Sequence, residues 1–509
     1  MTSHRAPLHI LPDPAFVPPG YVSMDVRSAL GSFHPGPGTL SFRSKTKGQY
    51  LNLHRMLQLY ETGKSPHLFG AGLTSEDILT QTSVGHELRH FHDWLLSFSY
   101  LEAARRRLFL GVNAFETLRH FPRFPGGLFP LPLLDWAITD PNKRQVKIEE
   151  LDDFFGAGKL KICDIPYFSL PRLQDLSSYS DSLTNGFLVC TRAALSIRML
   201  LNGFLPPGHL SPSDVFELSA VATQLLTIID RFGSRTGQDI YERNILNTPY
   251  DRVLDPIDAL VMRGGEGDIS GPAVLLLASA MALWAICSGP PSAGPMDPET
   301  CPSLRFAKLR AKLLDKKDDL EGRIHSSDGL IAYFDGLMCE KPIADRVALA
   351  TAYFKTVTRE MEAQACHFPS GHPMVMTLRY WQELLSIREE LHDVVFKDLT
   401  MHMRGAYESK YAYKLTLPAI MIDGTEIELD DLFDDPLSES FFANVVGKER
   451  IVRLSDRMNL LEKEIGFVNI ADMVISKIFF DQDFALSQAS KARLSDAVES
   501  VVGHQCISL

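Results

Sequence analysis

The sequence has few cysteines, and their spacing argues against a fold held together by disulfide bonds. An odd number of cysteines, none in a CxxC pair, is spread along 509 residues. Such a set in a long chain predicts reduced thiols and a cytoplasmic setting. The seven positions are Cys163, Cys190, Cys287, Cys301, Cys339, Cys366 and Cys506.

The sequence also has no segment typical of a secretion signal or a membrane span. Residues 1–20 contain prolines where a signal peptide would have a basic start and an apolar run. The longest apolar stretch, Ala273 to Cys287, is shorter than the ~20 residues that cross a bilayer. We therefore expect a buried core helix at this stretch and no membrane span.

Positive charge is in deficit, because the formal net charge is -12. Binding to the phosphates of nucleic acid requires a basic face, so we expect no nucleic-acid partner. Short basic runs such as Arg105-Arg106-Arg107 are interpreted as a solvated helix face. The phosphate-loop pattern GxxxxGK and the nucleophile-elbow pattern GxSxG are both absent.

The composition that remains is typical of a globular protein, with 45% apolar and 22% charged residues. The length predicts two or three domains. We predict a mainly α fold with small β elements, including a short strand at Thr39 to Arg43. The predicted organisation is a Pro/Gly-rich N-terminal arm (1–40), a core (41–270) and a helical C-terminal region (271–509). That last region is predicted to contain a β-hairpin near 415–429, turning at Asp423-Gly424.

Two helical segments have clear start signals. Thr74 to Asp77 offers an N-terminal cap, and apolar residues then recur at helical spacing, so we predict one or two helices between 75 and 120. A second start signal is Ser213-Asp214, which follows a Pro-rich stop. The helix predicted there carries Phe216, Glu217 and Ala220 in its first turns.

The first of these helices contains the pattern HExxH at His86-Glu87-Leu88-Arg89-His90. Histidines four residues apart lie one turn apart on the same helix face. Both imidazoles can then reach one zinc ion at about 2.0–2.1 Å. Glu87 follows the first histidine, so its carboxylate can accept a proton from water bound at the open metal position.

Residues 83–95 resemble the active-site helix of the zincin zinc metallopeptidases. The resemblance implies that His86 and His90 are ligands of Zn²⁺, that Glu87 is the catalytic base, and that the core is zincin-like. The metzincin subgroup is excluded because Asp93 and Leu96 stand where it has a glycine and a third histidine. The aspzincin pattern GTxD is absent too, since Gly424 to Ile427 lacks the aspartate.

The resemblance to the remaining gluzincin subgroup implies a glutamate from a later helix as third ligand. A catalytic zinc site has three protein ligands and one open position. Glu217 is the preferred candidate, because Glu217 followed by Ala220 resembles the ExxA pattern of gluzincin ligand helices. Glu116 and Glu102 are the rivals, both nearer to His90 in the sequence.

Other polar residues near the motif remain open in role. Asp93 is either a carboxylate that orients a ligand histidine or a solvated acid, and His92 is interpreted as a surface histidine. A donor that stabilises the transition state is expected for peptide hydrolysis. The candidates for this donor are Tyr241, Tyr250 and His209.

The sequence therefore predicts a zinc metallopeptidase that hydrolyses peptide bonds of an intracellular protein target by Glu-assisted attack of zinc-bound water. The helical C-terminal region would cover the cleft, select substrate or bind a regulatory protein partner. One alternative is a helical interaction or scaffold protein in which the HExxH helix is vestigial or accidental. Another is a zinc hydrolase that acts on a small amide instead of a peptide.

Overall fold

The computed structural model of the chain describes thirteen continuous segments and a few isolated positions between them. The segments are residues 31–43, 74–119, 128–139, 210–246, 248–261, 271–291, 298–316, 326–370, 372–404, 418–423, 450–453, 460–480 and 505–508.

Helices dominate these segments, and the strands are short. The first half of the chain contains β1 (Gly31–His34), β2 (Thr39–Arg43), α1 (Ser75–Leu96), α2 (Phe98–Arg119), β3 (Leu128–Leu131), α3 (Leu133–Ile138), α4 (Pro212–Phe232), α5 (Ser234–Ile240), a π-helix (Tyr241–Ile245), α6 (Pro249–Arg252) and α7 (Asp255–Val261). The second half contains α8 (Gly271–Ile286), a 3₁₀ turn (Pro298–Thr300), α9 (Pro302–Asp315), α10 (Ser327–Met338), α11 (Ile343–Ala365), α12 (Pro373–Val395), α13 (Leu399–Met403), β4 (Ile420–Asp423), β5 (Arg450–Arg453), α14 (Glu462–Phe479) and β6 (Gln505–Ser508). The prediction of a mainly α fold with small β elements is confirmed.

The strands form two small sheets that join distant parts of the chain. The larger sheet has the order β1-β2-β4-β5. β1 and β2 are antiparallel with Phe33 opposite Leu40, and β2 pairs in parallel with β4 with Phe42 opposite Ile422. The smaller sheet pairs β3 with β6 in parallel. The N-terminal strands are therefore held by chain from beyond residue 418.

Three predictions about the strands and their surroundings meet different outcomes. The strand predicted at Thr39 to Arg43 is present as β2. Residues 31–34, assigned to the N-terminal arm from their Pro/Gly-rich surroundings, form β1 and place Phe33 in the core. The first strand of the predicted hairpin near 415–429 corresponds to β4, whose described antiparallel neighbour is β5. The predicted turn after Asp423 and the segment that follows it lie outside the described residues.

The apolar stretch that begins at Ala273 forms a central core helix, as predicted. Almost every side chain of α8 from Ala273 to Ile286 is buried. α8 packs against α4, α9 and α10, and α4 in turn packs against α1. Within the described segments, no helix is both long enough and apolar enough to span a membrane.

The helix boundaries explain where the ligand candidates lie. Thr74 caps α1 through a capping box with Asp77, and Ser97 separates α1 from α2. The cap predicted at Ser213-Asp214 is in fact Ser211, and the helix begins at Pro212. Ser211 accepts a hydrogen bond from the Asp214 amide, the Asp214 carboxylate bonds back to the Ser211 amide, and proline fills the first helical position.

The interpretation of Arg105-Arg106-Arg107 as a solvated helix face is wrong. All three side chains are buried. Arg105 and Arg106 both donate to Glu102 on their own helix, and Arg107 pairs with Asp472 on α14. A buried charge is tolerated when an opposite charge compensates it. The sequence does not reveal the pair of Arg107 because Asp472 lies hundreds of residues away.

The β1–β2 hairpin docks onto α1 at positions where a side chain does not fit. Gly38 has a positive φ of 67°, and a Cβ atom built there would lie 2.7 Å from the indole of Trp94. The Tyr380 hydroxyl of α12 donates to the carbonyl of Pro37 in the same turn. Glycine at residue 38 is therefore required both by its backbone conformation and by its contact with α1.

We expect Gly38→Ala to lower the free energy of unfolding by about 2–4 kcal/mol, because left-handed backbone strain adds to overpacking against Trp94. Chemical denaturation followed by circular dichroism measures this change. Gly336→Ala is the matched control, since a Cβ at Gly336 meets no atom within 4 Å and the residue lies inside α10. Equal stability of the two variants would contradict the docking account.

Candidate metal centre

The two motif histidines present the same ring nitrogen to one point. His86 and His90 lie one turn apart on α1, and their Nε2 atoms are 3.1 Å apart. The rings are nearly perpendicular, with centroids 4.8 Å apart. Phe33 of β1 stacks beside His90 and limits where that ring can turn. The HExxH spacing therefore produces convergent imidazoles.

Glu217 is brought to the same point by the packing of α4 against α1. Its carboxylate oxygens lie 3.4 Å from Nε2 of His86 and 3.2 Å from Nε2 of His90. Ala220, one turn further along α4, is fully buried. The ligand-type atoms of the three residues all lie within 4.8 Å of one another.

His86, His90 and Glu217, here called the triangle, are spaced as the ligands of a tetrahedral metal ion are. Ligand atoms about 2.0–2.1 Å from a tetrahedral zinc are about 3.3 Å from each other. Here the two Nε2 atoms are 3.1 Å apart, and the Glu217 carboxylate places Oε1 3.2 Å from Nε2 of His90 and Oε2 3.4 Å from Nε2 of His86. Two imidazoles and one carboxylate are also a donor set that zinc accepts in catalytic sites. The three residues can hold such an ion without a large movement of either helix.

The rival glutamates are placed differently. Glu102 lies on α2, is fully buried, and has its carboxylate engaged by Arg105 and Arg106. Burial raises the pKa of Glu102, but the two arginines outweigh it and keep the pKa low. Glu116 lies further along α2, and its side chain falls outside the described residues. Of the two candidates with described side chains, Glu217 is the one that lies at the histidines.

Glu87 lies beside the triangle in an almost closed environment. Only 6% of its surface is exposed. A Cβ atom built on Gly31 would lie 2.6 Å from Cγ of Glu87, so the β1 backbone lies directly against this side chain. Burial raises the pKa of Glu87, and Glu217 raises it further, against the opposing effect of His86 and His90. A carboxyl group with a raised pKa is suited to accept and return a proton near neutral pH.

The other two charges of the site stabilise each other. Burial alone would lower the pKa of His90, but the neighbouring Glu217 carboxylate outweighs it and raises the pKa to about 9. For Glu217, burial is outweighed by His90 and His86, which hold its pKa well below the usual range. Without a metal ion, the protonated His90 ring and the Glu217 carboxylate therefore form a compensated buried ion pair.

Tyr250 is the candidate transition-state donor that the structure places at the site. Its ring lies edge-to-face with His86 at a centroid distance of 5.9 Å, on the short helix α6. Burial raises the pKa of Tyr250 well above its usual range, and Glu217 and Glu87 add to the shift, so the hydroxyl keeps its proton. Tyr241 instead donates to Asp251. His209 lies outside the described residues.

A buried polar group, here called the Arg89 cluster, links α1 and α4. It consists of Arg89 and Asp93 of α1, Ser219 of α4 and His402 of α13. Nε of Arg89 donates to Asp93 at 2.9 Å and to Ser219 at 3.0 Å, and a terminal nitrogen donates to the carbonyl of His402. The cluster joins α1, α4 and α13.

The expectations for Asp93 and His92 need correction. Asp93 is fully buried and faces Arg89 and His402, so it is not a solvated acid. Its described bonds go to the cluster and not to a motif histidine. His92 is also buried, and burial, with His402 adding to it, lowers its pKa to about 3. A surface interpretation fails because α13 and the core cover this face of α1.

Thr82 and Gln224 contact the site and were not identified from the sequence. Nδ1 of His86 lies 3.1 Å from Oε1 of Gln224, whose amide nitrogen donates to Thr82 at 3.0 Å. Their signal is spacing: Thr82 precedes His86 by one helical turn, and Gln224 follows Glu217 by two turns. Only after pairing α1 with α4 does this spacing become informative.

No protein-family model matches the chain, and no curated protein or solved structure matches it. What the protein does must therefore be argued from the site itself.

We expect Asp93→Asn to destabilise the fold by about 3–5 kcal/mol, because it leaves the buried Arg89 guanidinium without a compensating charge. Thermal and urea unfolding measure the effect. Glu389→Gln is the control, since its pair with Lys355 is about half exposed and contributes little. A loss no larger than that of the control would show that the Arg89 cluster does not stabilise the helix junction.

Proposed function

We propose that this chain is a zinc-dependent hydrolase of the zincin kind, a metallopeptidase whose Zn²⁺ ligands are His86, His90 and Glu217. One observation carries the proposal: two imidazole Nε2 atoms that are 3.1 Å apart each lie within 3.4 Å of one oxygen of the Glu217 carboxylate, beside a buried glutamate. Metal-assisted hydrolysis requires nitrogen and oxygen ligands at this spacing and a carboxyl group next to the metal, and the site has both.

The residues divide the chemistry among them. Bound zinc would supply a Lewis acid that polarises the scissile carbonyl and acidifies water. Glu87 takes the proton from the attacking water and delivers it to the leaving amine. The protonated hydroxyl of Tyr250 donates a hydrogen bond to the oxyanion that develops in the transition state. Burial of these groups strengthens each electrostatic interaction, since little water competes.

Two features favour this proposal over a scaffold protein with an accidental HExxH helix. Burying Glu217 and Glu87 beside two histidines carries a desolvation cost even where the charges are paired. An interaction protein gains nothing from this arrangement. In addition, the glutamate of the ExxA pattern on α4 lies within 3.4 Å of both histidines of the pattern on α1.

A polypeptide substrate is favoured over a small amide by the position of β1. β1 is the outermost strand in the described order of the larger sheet, and its Gly31 backbone lies against Glu87. An extended peptide that pairs along such an edge would pass directly beside the base. We further propose an intracellular protein as the target, in line with the free state of the five described cysteines, Cys190, Cys287, Cys301, Cys339 and Cys366.

We expect purified protein to carry about one zinc per chain and His86→Ala to abolish tight binding, because a ligand is lost. Glu87→Gln should keep the zinc and lower kcat by about 10²–10⁴, because only the proton carrier is removed. Elemental analysis gives the metal content, and digestion of a peptide library gives the activity.

Glu360→Gln, at an exposed position of α11, is the control for this experiment. A Glu87→Gln variant with wild-type activity would contradict the catalytic role and leave a structural metal site. Cleavage of small amides without any cleavage of peptides would instead identify the non-peptidase hydrolase.

We expect Tyr250→Phe to lower kcat by about 10²–10³ with little change in KM, because the lost hydrogen bond is made mainly in the transition state. Steady-state kinetics on a cleaved peptide measures both constants. Tyr333→Phe on α10 serves as the remote control. A change confined to KM would assign Tyr250 to substrate binding.

A further inference from the structure

Thr82, Gln224 and His86 form a chain of hydrogen bonds along the seam between α1 and α4. Thr82 Oγ1 lies 2.9 Å from the carbonyl oxygen of Ile78. Nε2 of Gln224 lies 3.0 Å from Thr82 Oγ1, and Oε1 of Gln224 lies 3.1 Å from Nδ1 of His86. The chain thus runs from a backbone carbonyl of α1 through a side chain of α4 and back to a motif histidine.

The direction of every hydrogen bond in this chain follows from its first member. The Ile78 carbonyl can only accept, so the single hydroxyl proton of Thr82 points to it. Thr82 must then accept from Gln224, which places the amide NH₂ on the Thr82 side. The amide oxygen therefore faces His86, and since that oxygen can only accept, Nδ1 of His86 carries the ring proton.

The consequence falls on the opposite ring nitrogen. A neutral imidazole protonated at Nδ1 has its lone pair at Nε2. In His86, Nε2 is the atom that lies 3.1 Å from His90 and 3.4 Å from Glu217. A neutral His86 ring would therefore present its lone pair to the centre of the triangle, which is the form a metal ion binds.

We propose that Gln224, anchored by Thr82, is a positioning residue that fixes the tautomer and the ring orientation of His86 for metal binding. The proposal rests on the proposed function for its purpose but on the hydrogen-bond chain for its evidence. Groups that orient a metal-ligating histidine typically change metal affinity about 10–100-fold when they are removed. Gln224 acts through His86 and not on the substrate.

These hydrogen bonds also couple α1 and α4. Gln224 lies two turns after Glu217 on α4, and Thr82 lies one turn before His86 on α1. A bond between these two side chains opposes sliding of α4 along α1. Loss of these hydrogen bonds would therefore change the spacing of the triangle even where the helices remain folded.

The test measures tautomer and metal affinity separately. In metal-free protein with ¹⁵N-labelled histidine rings, NMR should show His86 protonated at Nδ1, the signal being assigned by its absence in His86→Ala. Gln224→Met should weaken or reverse this preference. It should also raise the zinc Kd about 10–100-fold in competition with a chelating dye, at an unchanged thermal midpoint.

Two variants sharpen the assignment. Thr82→Val should shift the zinc Kd in the same direction to a smaller extent, because Gln224 loses its anchor but keeps its oxygen. Gln224→Glu should restore binding to within a few-fold of the wild type, because a carboxylate still accepts from Nδ1. Thr356→Val and Gln238→Met, at exposed positions remote from the triangle, are the matched controls.

The outcomes separate this proposal from the proposed function. Wild-type tautomer and zinc Kd in Gln224→Met would overturn the positioning role while leaving the hydrolase intact. The expected loss of tautomer preference and zinc affinity, in a protein that cleaves no peptide or amide, would support the positioning role and overturn the hydrolase. A cobalt-substituted protein whose visible spectrum changes in Gln224→Met but not in Gln238→Met would support the role independently.

Discussion

The close packing of α4 against α1 is the constraint on which the rest of the structure depends. It brings a carboxylate from one helix within 3.4 Å of two imidazoles on the other, in a place where little water reaches. In that environment the negative charge of Glu217 is stabilised by His90 and His86, and Glu87 is held in a protonatable state by burial. Both effects require the same two helices to keep their separation and register.

Polar groups on either side of the triangle maintain that register. On one side the Arg89 cluster ties α1 and α4 to the backbone of α13, and the hydroxyls of Thr223 and Ser279 donate to the Met403 carbonyl at the end of α13. On the other side, the bonds of Gln224 join the two helices directly. The C-terminal half of the chain therefore helps to hold the site in place. The buried charges lower the stability but define the geometry of the helix junction.

Much of the site was accessible from the sequence, because HExxH and the capped helix around Glu217 depend on local spacing. The central core helix α8 and β2 were accessible for the same reason. The predictions that were wrong concern the residues around the site. The partner of Arg107 is Asp472 and the partner of Arg89 is the His402 carbonyl, hundreds of residues away. Because the sequence does not reveal those partners, it suggests solvent exposure for Arg105 to Arg107 and for His92. The Pro/Gly-rich residues on both sides of β1 likewise gave no indication of a strand.

The most direct test of the central claim is an anomalous diffraction map at the zinc edge from crystals grown with Zn²⁺. The account predicts one strong peak, about 2.0–2.1 Å from Nε2 of His86 and of His90 and at a similar distance from a Glu217 oxygen. It also predicts one open position facing Glu87. A map without a peak between these three side chains, or with zinc held by other residues, would contradict it.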